Sequence, residues 1–234
     1  MSIYLDSAIP DEARQAMSLG FVQGITTNPA LLAKVKRPPI EVLRELGHIC
    51  SGTVFYQLTA PTVAERRAEG EQILRLNDEF EEEEDRHSVL KGDSSLLQLG
   101  RIGLKIPAAT ENMTLVAEFS DKGVAVAVTA LFSPAQAYLA CEAGATYLLP
   151  YVNRMTRLRG DGLAFVRELA QICKAIDRGT EILAASIKSP EEAIQTLLAG
   201  AHHISAPLSV LLAMGHDPLS DEAVAEFAQA MLST

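Results

Sequence analysis

The chain has no tryptophan, only three cysteines and 5% aromatic residues, and it is short of positive charge. Each scarcity excludes something. Cys50, Cys141 and Cys173 stand far apart with no Cys-x-x-Cys pair, so no disulfide framework is expected and a reducing compartment is the simpler reading. No apolar run reaches about 18 residues, and Ile3-Tyr4-Leu5-Asp6 comes without a basic, apolar leader; a cytoplasmic protein with no membrane partner is expected. Lys and Arg number 20 against 30 Asp and Glu, a net charge of −10. A field of that sign opposes nonspecific binding to nucleic acid or anionic lipid, although a local basic pocket could still hold a phosphate. Disorder is excluded as well, because 48% of the residues are hydrophobic.

What the chain does have is a steady alternation of short apolar runs and longer amphipathic stretches. Strands are expected at Ile3–Asp6, Gly24–Thr26, Thr53–Gln57, Gly103–Ile106, Val124–Thr129, Thr146–Leu149, Glu181–Ser186 and His203–Ala206. Helices are expected near Pro10–Leu19, Pro39–Cys50, Thr62–Leu76, Asn112–Lys122, Pro134–Ala143, Gly162–Ile176, Pro190–Leu198 and Leu208–Met214, with a last one at Asp221–Leu232. Starts are marked by Thr110, Ser133, Ser189 and Ser220, and ends by Gly20, Gly123, Gly144, Gly179 and Gly200. Eight strand–helix pairs in 234 residues is the arithmetic of an α/β fold, a single (β/α)8 TIM barrel over residues 1–234. The competing open, doubly wound sheet lacks its usual Gly-rich nucleotide loop after an early strand.

One segment breaks the rhythm. Residues 78–98 begin with Asp78-Glu79-Phe80-Glu81-Glu82-Glu83-Glu84-Asp85 and continue in a polar stretch. Such a charge run is ordinarily a solvated face or loop, here either an extension of the preceding helix or an insertion before the fourth strand.

In a closed barrel of this kind the chemistry sits at the carboxyl ends of the strands. Asp6 ends the first strand, Thr26-Thr27-Asn28 the second, Gln57 the third and Thr129 the fifth. Tyr151, Asn153 and Arg154 follow the sixth, and Ser186 and Lys188 end the seventh. Lys105 stands inside the fourth, where alternation turns it into the barrel, away from the helix layer that Leu104 and Ile106 face. A lysine is rarely buried without a partner or a task. Desolvation lowers its pKa, and a neutral amine can add to a ketone to form a Schiff base. A structural ion pair with Asp6 is the other reading. Asp6 is a candidate acid–base group. Gln57 can orient water or a hydroxyl but cannot titrate. Thr129 and Tyr151 could hold a water or be plain core and rim hydroxyls. Arg154, Lys188 and the Ser186 hydroxyl suit an anion. No metal site is expected, since His48, His202, His203 and His216 have no ligand company at a recognisable spacing. Gly160-Asp161-Gly162 reads as a turn.

Taken together, Tyr4-Leu5-Asp6-Ser7, Gly24-Ile25-Thr26-Thr27-Asn28-Pro29, Leu104-Lys105-Ile106-Pro107, Pro150-Tyr151-Val152-Asn153-Arg154 and Ala184-Ala185-Ser186-Ile187-Lys188 resemble the transaldolase and fructose-6-phosphate aldolase family. The resemblance implies a class I enzyme on a (β/α)8 barrel, without metal or other cofactor, with Lys105 as the Schiff-base lysine and Asp6 as the proton-transfer carboxylate. It implies that Thr26, Asn28 and Ser186 line the pocket for the ketose chain, and that Arg154 and Lys188 hold its distal phosphate. Gln57 and Tyr151 match the aldolase branch, where transaldolases carry Glu and Phe. The leading expectation is therefore an aldolase that splits C3 from C4 of a ketose such as fructose 6-phosphate and frees dihydroxyacetone. The alternative is a transaldolase that passes this unit between sugar phosphates or sulfosugars such as 6-deoxy-6-sulfofructose. A barrel that binds a sugar phosphate without turning it over is the rival of another class. The resemblance also implies a homo-oligomer, a pentamer or decamer. Leu149 stands where a small residue is expected, and the resemblance leads one to expect after Leu232 a longer extension, the segment by which compact members assemble.

Overall fold

In the computed structural model, residues 1–91 and 100–232 are described. Eight strands run in parallel and close on themselves in sequence order, with β8 paired to β1. They are β1 (Ser2–Asp6), β2 (Val22–Thr26), β3 (Thr53–Gln57), β4 (Arg101–Pro107), β5 (Val126–Leu131), β6 (Tyr147–Pro150), β7 (Glu181–Ala184) and β8 (His203–Ala206). The expected (β/α)8 barrel is the observed fold. Around it lie α1 (Pro10–Ser18), α2 (Pro29–Val35), α3 (Pro39–Ile49), α4 (Val63–Lys91), α5 (Met113–Asp121), α6 (Pro134–Glu142), α7 (Val152–Arg159), α8 (Gly162–Ile176), α9 (Pro190–Leu198), α10 (Leu208–Ala213) and α11 (Pro218–Leu232). None of the described helices is long and apolar enough to cross a membrane.

Local chemistry explains the boundaries. Ser133 and Gln136 form a capping box that opens α6, and Ser189 accepts from the Glu192 amide to open α9. The final helix starts earlier than Ser220, because Asp217 accepts from the Leu219 amide and Pro218 fills the first helical position. Thr110 opens a short 3-10 turn, Thr110–Asn112, rather than α5 itself. All five glycines expected at helix ends take positive φ. Two short helices, α2 and α7, were not anticipated; both follow strands that end at the candidate site.

The acidic run is helical. Residues 78–91 continue α4, while residues 92–98 of the same segment lie outside the described residues. Helical spacing sends the carboxylates in different directions. Glu79 meets Arg44 at 2.9 Å, Glu83 meets His48 at 2.8 Å and Glu84 meets Arg101 at 2.8 Å. On the same side, Ile73, Leu76 and Phe80 are buried at three- and four-residue spacing, and a Cβ on Gly47 of α3 would come within 2.4 Å of the Phe80 ring. Truncating such a buried ring costs about 3–5 kcal/mol. Exposed ion pairs add about 0–1 kcal/mol each. Apolar packing therefore holds this helix down, and the charges decorate it. Since Arg101 begins β4, the described part of the run lies at the amino end of the barrel, away from the site.

The core has two shells. Leu104, Ile106, Val126 and Val128 belong to the cluster between sheet and helices. Inside the barrel, Tyr4, Phe55, Ala127 and Leu183 come from alternate strands and pack with Leu149 and Ala185. Room for the rings comes from the neighbouring strands: a Cβ on Gly24 would sit 2.4 Å from Tyr4, and one on Gly103 would sit 2.7 Å from Phe55. This floor closes the barrel below the site, and Leu149, the departure noted from the motif, is part of it.

Candidate active site

Above the floor the inward residues turn polar. Lys105 is only 2% exposed, and its Nζ donates to the Thr27 carbonyl at 2.8 Å, its one hydrogen bond among the described residues. Burial pushes its pKa down to about 8, in spite of the opposing field of Asp6. At pH 7 roughly a tenth of such amines is neutral, against fewer than about one in a thousand for a free lysine. No nitrogen–oxygen contact within 4.0 Å joins Lys105 to Asp6 among the described residues, so the structural ion pair considered above does not form. The carboxylate instead accepts from Thr26 Oγ1 at 3.1 Å. Burial raises the pKa of Asp6, while Lys105, the Thr26 hydrogen bond, Lys188 and Lys34 act the other way.

A cleft of about 440 Å³ opens over this pair. Its wall includes Asp6, Asn28, Gln57, Lys105, Tyr151, Arg154, Ser186 and Lys188, so eight of the ten expected site residues meet on one cavity. Thr129 is buried just behind the wall and lies 2.7 Å from the Tyr151 phenol. Thr26 is fully buried next to this wall, and closure of the barrel seats its hydroxyl between Asp6 and Ser205. Asn28 caps α2 by accepting from the Leu31 amide at 3.0 Å, which fixes its side chain at the cleft edge. Gln57 Oε1 is enclosed and has no hydrogen-bond partner among the described residues.

Two backbone features aim the remaining groups. Ala130 and Ser186 adopt φ of 55° and 63°, the left-handed region that costs a non-glycine residue about 1 kcal/mol or more. At Ala130 the β5–β6 register shifts, leaving Thr129 facing Tyr151. At Ser186 the chain turns out of β7, and its carbonyl accepts from the Asn153 amide at 3.3 Å. Arg154 and Lys188 are exposed at the cleft mouth, and the Arg154 guanidinium lies 4.7 Å from the centre of the Tyr151 ring. Among the described residues neither cation has a carboxylate partner, and Asp6 is the only acid on the cleft wall. A molecule of net charge −10 thus presents a local positive mouth.

Thr27, named above only as part of the Thr26-Thr27-Asn28 run, offers its carbonyl to Lys105, and Lys34 in the last turn of α2 and Ser205 on β8 carry no sequence expectation of a role at the site. Ser205 has a readable signal, an inward position two residues after His203, but its neighbours depend on ring closure. Among the described residues, no group of three or more His, Cys, Asp or Glu could hold a metal ion. His203 binds Glu181 at 2.7 Å, and Asp161 caps α8 in the Gly160–Gly162 turn.

A closed parallel barrel with a desolvated lysine inside, a carboxylate beside it and cations at the mouth is an arrangement suited to lysine-dependent chemistry on an anionic substrate. The family model described as Transaldolase/Fructose-6-phosphate aldolase matches residues 3–234, and the chain belongs to that family. It is similar to a protein of Herpetosiphon aurantiacus named probable transaldolase, 34% identical over 97% of this chain and 93% of the relative. Proteins of the same name from Geobacillus kaustophilus and Anaeromyxobacter dehalogenans are each 32% identical over 97% of this chain, and over 96% and 94% of their own lengths. The family is one of enzymes that work through a lysine Schiff base, which sets aside the rival of a non-catalytic sugar-binding barrel. The relatives' names favour transfer over the release of dihydroxyacetone that was the leading expectation.

Proposed function

We propose that the cleft is the active site, that Lys105 is its Schiff-base lysine, and that the enzyme transfers the dihydroxyacetone unit of a ketose phosphate to an aldose acceptor. The observation that carries this reading is the Lys105 amine: buried, tuned to about 8, bound to one carbonyl, and open to a cleft with Asp6 inside and Arg154 and Lys188 at its mouth.

The neutral amine adds to the C2 carbonyl, and loss of water gives an iminium. Asp6 takes the C4 hydroxyl proton, and the C3–C4 bond breaks with its electron pair flowing into the iminium. An aldose such as glyceraldehyde 3-phosphate leaves, and the three-carbon fragment remains on Lys105 as an enamine. The enamine attacks the carbonyl carbon of an incoming aldose, Asp6 returns the proton to the new hydroxyl, and hydrolysis frees the new ketose. Asn28 and Ser186 hold the sugar chain, and Arg154 and Lys188 hold the distal phosphate. A sulfonate presents a similar anionic group, so 6-deoxy-6-sulfofructose belongs among the donors to test.

Release of free dihydroxyacetone is a second reading with its own support. The Thr129–Tyr151 hydroxyl pair and the Gln57 oxygen, unpaired among the described residues, suit a water that protonates the enamine and then hydrolyses the resulting iminium. Fructose 6-phosphate and its sulfo analogue, each supplied with and without an acceptor aldose, decide between the two. Product that forms only with the acceptor supports transfer; equal dihydroxyacetone release without it rejects transfer in favour of the aldolase.

The same reading includes a homo-oligomer in the cytoplasm. It is supported by the exposed Leu219, Val224, Phe227 and Met231 of α11 and by three free cysteines.

A further inference from the structure

Beneath Asp6 lies a polar layer that the proposed reaction does not touch. Thr26 on β2 and Ser205 on β8 meet across β1 with their hydroxyl oxygens 2.7 Å apart, and both residues are fully buried. Thr26 Oγ1 is also within 3.1 Å of Asp6 Oδ1. A hydroxyl carries a single proton. Thr26 therefore either donates to Asp6 and accepts from Ser205, or donates to Ser205 and leaves the carboxylate without that donor. In the first arrangement both hydroxyl protons have acceptors. In the second the Ser205 proton has none among the described residues, and a buried unpaired donor is costly. The chain thus runs from Ser205 to Thr26 to Asp6. Protonating Asp6 at Oδ1 would reverse it and strand the Ser205 proton; protonating Oδ2 would leave Thr26 donating to a weaker, neutral acceptor.

We infer that Ser205 is a positioning residue for Asp6: by donating to Thr26 it polarises the Thr26 hydroxyl, which strengthens the hydrogen bond Thr26 gives the carboxylate and favours that group's ionised form. The inference rests on the Lys105–Asp6 reading above and adds to it a residue that touches no reacting atom. The other groups facing Asp6 are Lys105 from β4, Lys188 after β7 and Lys34 from α2, all cationic. They and the relay oppose burial, which favours the neutral acid.

At saturating ketose Lys105 is committed to the iminium, so the acidic limb of kcat reports Asp6, whereas kcat/KM also reports free Lys105. Ser205→Ala is expected to move the acidic limb of kcat upward by about half a pH unit, an approximately threefold loss on that limb. Borohydride trapping of the adduct on Lys105 should persist, and Ser205→Thr, which keeps the hydroxyl, should restore the wild-type limb. Should Ser205→Ala fail to fold, the near-isosteric Ser205→Cys, a much weaker donor, carries the same test. An unmoved limb in the folded variant, or an equal shift in Ser205→Thr, overturns the inference. Wild-type trapping separates the two failures. No adduct on wild-type Lys105 condemns the reading of the site, whereas a normal adduct with an unmoved limb condemns only the role of Ser205.

Discussion

The Thr129 hydroxyl and the Tyr151 phenol lie 2.7 Å apart across the top of β5 and β6. The ring is fixed on its other sides as well, by the edge of Phe132 at a centroid distance of 6.3 Å and by the Arg154 guanidinium at 4.7 Å. Removing only the phenol oxygen should therefore leave the ring in place. Tyr151→Phe is expected to lower the ratio of dihydroxyacetone released to dihydroxyacetone transferred by about threefold to tenfold, the scale of one hydrogen bond to a reacting water. Assay of both products in one reaction reads it. A ratio equal to wild type would remove Tyr151 from the handling of that water.

Lys105→Met should abolish both turnover and borohydride trapping, and should also make the fold more stable. Burial holds the lysine pKa near 8, below its ordinary 10.5, so the folded state disfavours the charged form. Below pH 8 the wild type carries a buried ammonium in the folded chain and the variant does not. Between pH 8 and about 10.5 the folded wild type has lost its proton while the unfolded chain still binds one, so wild-type stability rises with pH relative to the variant. The variant's advantage is expected to be largest below pH 8, with a pH-dependent part of at most about 3 kcal/mol, and to shrink toward pH 10.5. Denaturant midpoints for the two proteins across that range measure it. A gap that stays constant with pH would contradict the desolvated amine.

Among the described residues Arg154 and Lys188 at the mouth have no carboxylate partner, so their charge is available to an anion. Arg154→Gln is expected to raise KM for a phosphorylated ketose about tenfold to hundredfold, the loss of a charge-assisted fork, and to leave KM for an unphosphorylated ketose much less affected. Added salt should weaken the wild type more than the variant. Parallel rises for both substrates would show that Arg154 acts through Tyr151, whose ring it covers, and not on the phosphate.

Much of this was legible in advance because the barrel repeats one physical unit. Apolar alternation located all eight strands, and Lys105 between Leu104 and Ile106 is conspicuous because so few lysines sit inside a strand. The short helices α2 and α7 were harder, since Pro29–Val35 and Val152–Arg159 are brief and follow residues that already carried a motif. Asn28-Pro29 is nonetheless a plain cap-and-start signal. At Asp78–Asp85 the charge run masked the spacing of Ile73, Leu76 and Phe80, which carries α4 well past Leu76. Thr26 and Ser205 could not be placed together from sequence at all. Their contact spans 179 positions and exists only because β8 closes against β1.

Closure leaves α11 with an apolar surface that the barrel does not use. Leu219, Val224, Phe227 and Met231 are each 64–82% exposed, and apolar area removed from water contributes about 25 cal/mol per Å². A second copy of the chain is the occupant that a homo-oligomer supplies, and a repeated surface of this kind suits a symmetric contact. Phe227→Asp combined with Met231→Asp would place two charges on that surface without entering the core. The expected result in sedimentation is a fall from an oligomer to the 25.2 kDa protomer, with the far-ultraviolet signature of the barrel retained. A wild-type protein that already sediments at 25.2 kDa, or a doubly substituted one that stays assembled, would assign the apolar side of α11 to something other than self-association.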